Sequence, residues 1–210
     1  MNPSKEQVKL LKIALKATSS ELQEIRVSRS TQALSVTYAM RKTNELGADN
    51  KVAVFGLLTN NMREMLQESS MGWSVSKKKR EVFHTRSRFI IAHDAQSSLV
   101  AFSMFRFEKE DQCVVLYCYE LQVEEAMRGL GIGRSLLTQL ESIGLAYGMD
   151  KIMLTVLKAN QKSVKFYKSA GFRLDSSDPS RFGDCRQDYE ILCKWLPRPT
   201  ASSLTRLEVA

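Results

Sequence analysis

Runs of apolar residues, several of them alternating with polar ones, predict that the middle of the chain forms β-strands. The two longest runs cover residues 99–108 and 113–124, and the polar residues 109–112 between them predict a hairpin connection. Shorter runs predict strands at residues 35–41, 88–93, 151–157 and 188–195. A sheet formed by these strands is the expected core.

Other segments repeat their apolar residues with the 3.6-residue period of an amphipathic helix. Ser4 and Gln7 have the spacing of a capping box, and the apolar positions that follow predict one long N-terminal helix reaching Ile25. Further helices are predicted at residues 59–67, from near Gly133 onward, and at residues 160–170, between an Asn160 N-cap and Gly171. The order of strands and helices around the glycine-rich loop predicts a mixed α/β fold, with a central sheet flanked by helices.

The composition is that of one enzyme-sized globular domain, with 210 residues, 43% hydrophobic and 26% charged. We expect a helical extension at residues 1–34, the main domain at 35–196 and a disordered tail at 197–210. No apolar run approaches the ~20 residues of a membrane span, and the N-terminus lacks a signal-peptide core, so a soluble intracellular protein is expected.

The cysteines and the basic residues limit which metal sites and which partners are expected. The four cysteines have no Cys-x-x-Cys spacing and there are only two histidines, so we expect free thiols and no metal site. The net charge of +8 indicates either a phosphate-rich partner or a solvated basic face. The run at residues 77–80 is interpreted as exposed surface, with nucleic-acid contact as the alternative.

The most informative segment is a glycine-rich turn between the long strand and the helix that follows it, Arg128-Gly129-Leu130-Gly131-Ile132-Gly133. Unpaired N–H groups at a helix N-terminus, together with the positive end of the helix dipole, bind diphosphates. The dinucleotide fingerprint is excluded because Arg134 stands where its third glycine is needed. A Walker loop is excluded because Arg134 also replaces its lysine and the loop is too short.

Two signatures in the right order resemble those of the GNAT superfamily of N-acetyltransferases. The first is the Arg-x-x-Gly-x-Gly turn, and the second runs from Asn160 through Phe166-Tyr167 to Gly171-Phe172. The resemblance implies acetyl-CoA as cofactor. Its pyrophosphate would be held by the turn, and its pantetheine arm by backbone N–H groups of the preceding strand and by Asn160 and Tyr167. The implied cofactor residues are Leu121, Gln122, Val123, Arg128, Gly129, Leu130, Gly131, Ile132, Gly133, Arg134, Asn160 and Tyr167.

A narrower resemblance is carried by Leu116-Tyr117-Cys118-Tyr119-Glu120 and by substrate-side segments around Trp73, Thr155 and Tyr189. Over roughly residues 57–195 the chain is similar to the NatD-type N-alpha-acetyltransferases. This implies acetylation of the N-terminal Ser of histone H4 and of the 2A-type histone, whose tails begin Ser-Gly-Arg-Gly. It also implies a monomer without auxiliary subunit, in the cytoplasm and nucleus, with ribosome or chromatin contact left open and no membrane contact.

The expected proton acceptor is Glu120. An α-amino group of pKa near 8 is about 10% neutral at pH 7, whereas a lysine side chain near 10.4 is neutral to well under about 0.1%, so a modest base is enough. Tyr117 and Tyr119 are the other expected catalytic residues, holding a water. Strict alternation puts both tyrosines on one face and Glu120 on the other, so they converge only if the strand bulges or a water bridges the faces.

Substrate choice is expected to rest on Glu108 and Glu110 in the predicted hairpin loop, where carboxylates would bind the arginine at the third position of the peptide. The resemblance adds Leu66, Trp73, Lys109, Tyr119, Thr155 and Tyr189 to the substrate site. Two alternatives stay open. One is a GNAT enzyme that acetylates lysine or a small amine, and the other is a binding module that holds acetyl-CoA as a structural ligand.

Overall fold

A computed structural model describes residues 3–25 and 36–197. The first residue of the predicted strand at 35–41 and nearly all of the predicted tail lie outside the described residues. Seven strands form one sheet in the order β1-β2-β3-β4-β5-β7-β6. They are β1 (Thr37–Lys42), β2 (Arg88–His93), β3 (Leu99–Glu110), β4 (Cys113–Val123), β5 (Lys151–Leu157), β6 (Arg173–Leu174) and β7 (Tyr189–Trp195).

The sheet is mixed, as predicted. Only β4 and β5 are parallel, and they are joined by the crossover helix α5; all other neighbouring strands pair antiparallel. The helices are α1 (Lys5–Lys16), α2 (Ser19–Glu24), α3 (Ala48–Gln67), α4 (Val75–Val82), α5 (Ile132–Ala146) and α6 (Gln161–Ser169). No helix in the described part of the chain is both long and apolar enough to span a membrane.

Alternation along the strands divides the core between the two faces of the sheet. In β2, Ile90 and Ala92 face the side covered by α1, α2, α5 and α6. Phe89 and Ile91 face the side covered by α3 and α4. Both faces are therefore buried, which explains why most residues of β2 and of β3 up to Phe107 are apolar.

The N-terminal segment forms two helices, so the prediction of one long helix was wrong. The predicted capping box of Ser4 and Gln7 is present. However, Thr18 and Glu21 form a second capping box, and Thr18 adopts an extended backbone that starts α2 as a separate helix. At the end of α1, the Arg88 guanidinium donates to the carbonyls of Ala14 (3.1 Å) and Leu15 (2.8 Å).

Other boundaries also differ from the prediction. Helix α3 begins at Ala48, eleven residues before its predicted start, and α4 was not predicted at all. Lys109 and Glu110 were placed in a hairpin loop, but they pair with Val114 and Cys113 as the end of β3. The turn is short because Asp111 adopts a positive φ of 49°, which lets the strands continue almost to the bend.

Candidate active site

The site lies where β4 and β5 separate. The two strands pair only over residues 115–118 and 151–154, so beyond Cys118 the edge of β4 toward β5 borders a gap, while its other edge stays paired with β3. A cavity of about 260 Å³ occupies this gap. Its walls come from α3, α4, β4, β5 and α6, and the lining residues used below are Leu66, Lys78, Tyr117, Tyr119, Glu120, Leu121, Gln122, Thr155, Asn160 and Tyr167.

A β-bulge brings Glu120 to the same face as the tyrosines. Met104 pairs with Glu120 and Phe105 with Cys118, so Tyr119 is an extra residue in β4. Tyr119 and Glu120 therefore both face α3 and α4, where Tyr119 packs in the core cluster and Glu120 meets Lys78. The bulge therefore brings Glu120 and the tyrosines to one face, which strict alternation would not allow.

Glu120 is a buried carboxylate with two polar neighbours. Its side chain is 8% exposed, the ammonium of Lys78 lies 3.4 Å from Oε1, and the amide of Gln122 donates to Oε2 at 2.9 Å. Burial raises the pKa of Glu120, and the attraction of Lys78 and the hydrogen bond from Gln122 only partly oppose it. A carboxylate with a raised pKa is a better proton acceptor near neutral pH.

Lys78 is a site residue that sequence reasoning missed, because the basic run at 77–80 was interpreted as exposed surface. Its side chain is only 18% exposed and also lies 2.7 Å from Glu81. Burial lowers the pKa of Lys78, but Glu120 and Glu81 more than offset this and leave the pKa raised. Helical spacing could have indicated its burial. Lys78 lies one turn before the fully buried Val82 and therefore on the same face of α4.

The two tyrosines form a hydrogen-bonded wall. Their rings lie 4.8 Å apart, the hydroxyl of Tyr117 is 2.6 Å from that of Thr155, and Tyr119 donates to Glu108 at 2.8 Å. Burial raises the pKa of Tyr117 to about 12 and also raises that of Tyr119. Both phenols are therefore neutral at physiological pH and act as hydrogen-bond donors and acceptors.

The glycine-rich turn has a backbone suited to an anion. Gly129 and Gly131 have positive φ values of 79° and 84°, and Gly131 is the N-cap of α5, whose first N–H groups have no partner within the helix. At Gly133 an added Cβ would lie 3.3 Å from the ring of Phe166. This turn, with Leu130 and Ile132 between the glycines, fits a diphosphate.

Two arginines flank that turn. Arg128 donates to the carbonyl of Val123 at 3.2 Å and to Asn61 at 2.7 Å. Arg134 donates to Ser169 at 3.3 Å and lies over the ring of Phe166, 5.8 Å from its centre. Both guanidinium groups are at the surface beside the first turn of α5, so their charge adds to that of the helix dipole.

Helix α6 closes the other side of the gap. Asn160 caps it, as predicted, by accepting a hydrogen bond from the backbone N–H of Ser163. Tyr167 is 8% exposed, and its ring lies between those of Phe166 and Phe172 at 5.2 and 5.8 Å. Burial raises the pKa of Tyr167 well above its usual range.

The predicted substrate residues are only partly brought together. Leu66, Tyr119 and Thr155 line the cavity. Trp73 and Tyr189 do not line the cavity. Trp73 packs against Phe55 with ring centres 6.2 Å apart, and Tyr189 pairs with Leu157 at the C-terminal end of β5.

The acidic residues of β3 lie beyond the tyrosine wall. Glu108 reaches the cavity only through its bond to Tyr119, and Arg106 lies 3.9 Å from its other oxygen. Glu110 has no ion-pair partner in the described residues, and burial followed by repulsion from Glu108 raises its pKa. Lys109, between them, is exposed. The described residues contain no His, Cys, Asp and Glu cluster suited to a metal.

Comparison with known proteins shows which family has this arrangement of strands, turn and helix. The profile of the family described as acetyltransferase (GNAT) family matches residues 59–172, which include the splayed strands, the glycine-rich turn and α6.

Three solved structures, all at 20% identity or less, share the fold. The NatC complex bound to Gag peptide and CoA has a TM-score of 0.59 at 17% identity, over 78% of this chain and 100% of that one. Naa50 of Arabidopsis thaliana with the bisubstrate analogue CoA-Ac-MVNAL has a TM-score of 0.54 at 20% identity, over 77% and 99%. NAA60 of Arabidopsis thaliana with a bisubstrate analogue has a TM-score of 0.56 at 13% identity, over 77% and 99%.

Proposed function

The chain belongs to the acetyltransferase (GNAT) family and uses acetyl-CoA as its acetyl donor, and on that premise we propose that it acetylates N-terminal α-amino groups. The proposed substrates are the Ser-Gly-Arg-Gly N-termini of histone H4 and of the 2A-type histone. We propose a monomer that acts in the cytoplasm and nucleus. The resemblance of residues 57–195 to NatD-type enzymes and the N-terminal acetyltransferases among the structural neighbours support the proposal.

The residues around the gap fit acetyl-CoA, which supplies an electrophilic thioester carbonyl. Residues 121–123 lie beyond the pairing of β4 with β5, and their backbone N–H groups on that edge would bind the pantetheine arm and polarise that carbonyl. Asn160 and Tyr167 line the opposite wall. The first turn of α5 holds the pyrophosphate with Arg128 and Arg134. Tyr167 acts by packing against the cofactor rather than as a proton donor.

The observation that carries the proposal is the buried carboxylate of Glu120 in the gap, on the same face as Tyr119. An amine attacks a thioester only when neutral. Since an α-amino group has a pKa near 8, one carboxylate whose pKa is raised by burial suffices to take its proton, directly or through a water held by Tyr117 or Tyr119. A lysine side chain would need a stronger base.

The arginine of the peptide is proposed to bind the acidic end of β3. Glu110 is half-buried, is repelled by Glu108 and Asp111, and is attracted only by the more distant Lys151, so a guanidinium would relieve this repulsion. Charge-assisted bonds to a guanidinium contribute on the order of 1.5–3 kcal/mol when shielded. Leu66 and Thr155, which line the cavity, are proposed to contact the small first residue, with Trp73, Tyr189 and Lys109 beyond the cavity walls along the path of the peptide.

A panel of short peptides tests the proposal. We expect acetylation of a peptide that begins Ser-Gly-Arg-Gly and no acetylation when its α-amine is blocked. KM should be higher when alanine replaces the arginine. In the double variant Glu108→Gln with Glu110→Gln, KM for the arginine peptide should rise about 10-fold or more, while KM for the alanine peptide changes little.

The control is Glu64→Gln, which removes a carboxylate from the exposed face of α3. Acetylation of the blocked peptide on a lysine would replace the proposal with a lysine acetyltransferase. Equal losses on the arginine and alanine peptides would remove the acidic end of β3 from substrate recognition.

A further inference from the structure

A row of hydrogen bonds connects Glu120 with the glycine-rich turn. The Arg128 guanidinium donates to Oδ1 of Asn61 at 2.7 Å. The Asn61 amide donates to Oε1 of Gln122 at 3.0 Å, and the Gln122 amide donates to Oε2 of Glu120 at 2.9 Å. All three donors therefore point the same way, from a cation at the turn to a carboxylate in the cavity.

The orientation of both amides is fixed by their neighbours. The NH₂ group of Asn61 also faces the carbonyl of Val123 at 3.2 Å, which only a donor can satisfy, so its oxygen must face Arg128. The NH₂ group of Gln122 faces a carboxylate, so its oxygen must face Asn61. Flipping either amide would bring two donors or two acceptors together.

The row crosses from solvent to the buried base. The side chain of Arg128 is 44% exposed, Asn61 is partly buried on α3, and Gln122 and Glu120 are 7% and 8% exposed. Gln122 is the donor to Oε2, while the other oxygen faces Lys78. In this buried setting a hydrogen bond to a charged group is stronger than one in water.

We propose that Asn61 and Gln122 are positioning residues, which hold the carboxylate of Glu120 in a fixed position relative to the phosphate-binding turn. The inference rests on the proposed function, because it assigns Glu120 as the proton acceptor. Neither amide contacts the reacting atoms in this role. They act by fixing which oxygen of Glu120 is engaged and by keeping the carboxylate ionised.

Other titratable groups interact electrostatically with Glu120 and must be held constant. They are Lys78 and Glu81 from α4, Tyr167 from α6 and Cys118 from β4. Substituting Asn61 or Gln122 leaves all four in place. A change in the titration of Glu120 in these variants is then attributable to the row of amides.

The test uses Gln122→Met and Asn61→Leu, which keep side-chain size but remove the donors. The control is Asn60→Leu, the same change on the exposed face of the same helix. Carbon-13 NMR titration of glutamate carboxyls in the ligand-free protein, with Glu120→Gln to assign the signal, measures the base directly. The acidic limb of the kcat/KM profile measures it in turnover.

We expect Gln122→Met to move both titrations upward by about 1 pH unit, Asn61→Leu to move them less in the same direction, and Asn60→Leu to leave them unchanged. Should Gln122→Met fail to fold, Asn61→Leu and Asn61→Ala carry the test. An unchanged NMR titration of Glu120 in folded Asn61 and Gln122 variants would overturn the proposal. A shifted NMR titration with an unshifted activity profile would support the row of amides but remove Glu120 as the base.

Discussion

Two buried carboxylates, one at each end of the β4–β5 pair, have opposite environments. Asp175, at the paired end, is 1% exposed, lies 2.5 Å from the ammonium of Lys151 and accepts hydrogen bonds from the N–H and hydroxyl of Ser177. Burial alone would raise the pKa of Asp175, but hydrogen bonds from Cys193, Lys151 and Ser177 hold it well below its usual range. Glu120, at the open end, has one more distant cation and one amide, and its pKa is raised.

The difference separates a structural ion pair from a group suited to proton transfer. A carboxylate with all its acceptor sites filled stays ionised and fixes a strand, whereas one with unfilled sites beside a cavity can take and release a proton. Asp175 is the first kind and Glu120 the second.

The largest effect is expected for Asp175→Asn, which leaves the ammonium of Lys151 buried without its counter-charge. Loss of one partner of a buried ion pair costs about 3–5 kcal/mol, so the free energy of unfolding in urea should fall by that amount. The folded variant should acetylate peptide at nearly the wild-type rate. Asp184→Asn, which breaks a surface pair with Arg186, is the control and should cost far less. Similar losses in both variants would contradict the structural role of Asp175.

For Glu120→Gln we expect turnover to fall by about 100-fold or more, because the proposed proton acceptor is lost. Affinity for coenzyme A should be retained, since the backbone of β4 and the first turn of α5 are untouched. Lys78 keeps Glu81 as a partner at 2.7 Å, so the fold should be retained. Glu64→Gln, which removes a carboxylate from the exposed face of α3, is the matched control. Unchanged turnover would remove Glu120 as the base.

Much of the local structure around the strand pair could be predicted from the sequence. The boundaries of β5 at residues 151–157 and the Asn160 cap of α6 were predicted correctly, because apolar periodicity and capping are local signals. The glycine-rich turn was found for the same reason. Positive φ values at Gly129 and Gly131 match what those glycines permit.

The surroundings of Glu120 depend on contacts that no local pattern contains. Alternation alone put Glu120 and Tyr119 on opposite faces, and the bulge that reverses this is fixed by pairing with β3. Lys78 contacts Glu120 although the two residues are 42 positions apart in the sequence. It lies on α4, which was not predicted because its sequence is mostly polar. The row through Asn61 requires α3 to cross β4, which the sequence did not indicate.

A smaller effect is expected for Lys78→Met, which removes the cation facing Oε1 of Glu120. Because Lys78 lowers the pKa of Glu120, its loss should move the acidic limb of the kcat/KM profile upward, by about 1 pH unit. Activity at high pH should recover more than activity at low pH. Lys77→Met, one residue away on the exposed face, should leave the profile unchanged. A uniform loss at every pH would instead indicate that Lys78 only supports the fold.

The smallest effect distinguishes the two carboxylates by the sign of their linkage to pH. Because the folded pKa of Asp175 is lowered, its stabilisation is present above the unfolded value of about 3.9 and is lost as the pH falls through the folded value. The folded pKa of Glu120 is raised, so the folded state binds more protons and stability declines as the pH rises from about 4.3 through the folded value.

Urea unfolding of wild type, Glu120→Gln and Asp175→Asn between pH 2 and pH 7 tests these signs. Glu120→Gln should gain stability relative to wild type as the pH rises, by a fraction of the loss expected for Asp175→Asn, because the amide is not forced to ionise in the cavity. The deficit of Asp175→Asn should instead shrink as the pH falls below about 4, where wild type begins to lose the same interaction. If Glu120→Gln lost stability relative to wild type on going from pH 4 to pH 7, the carboxylate would be stabilised as an ion by its neighbours. Glu120 would then resemble Asp175, and the contrast between the two ends of the strand pair would fail.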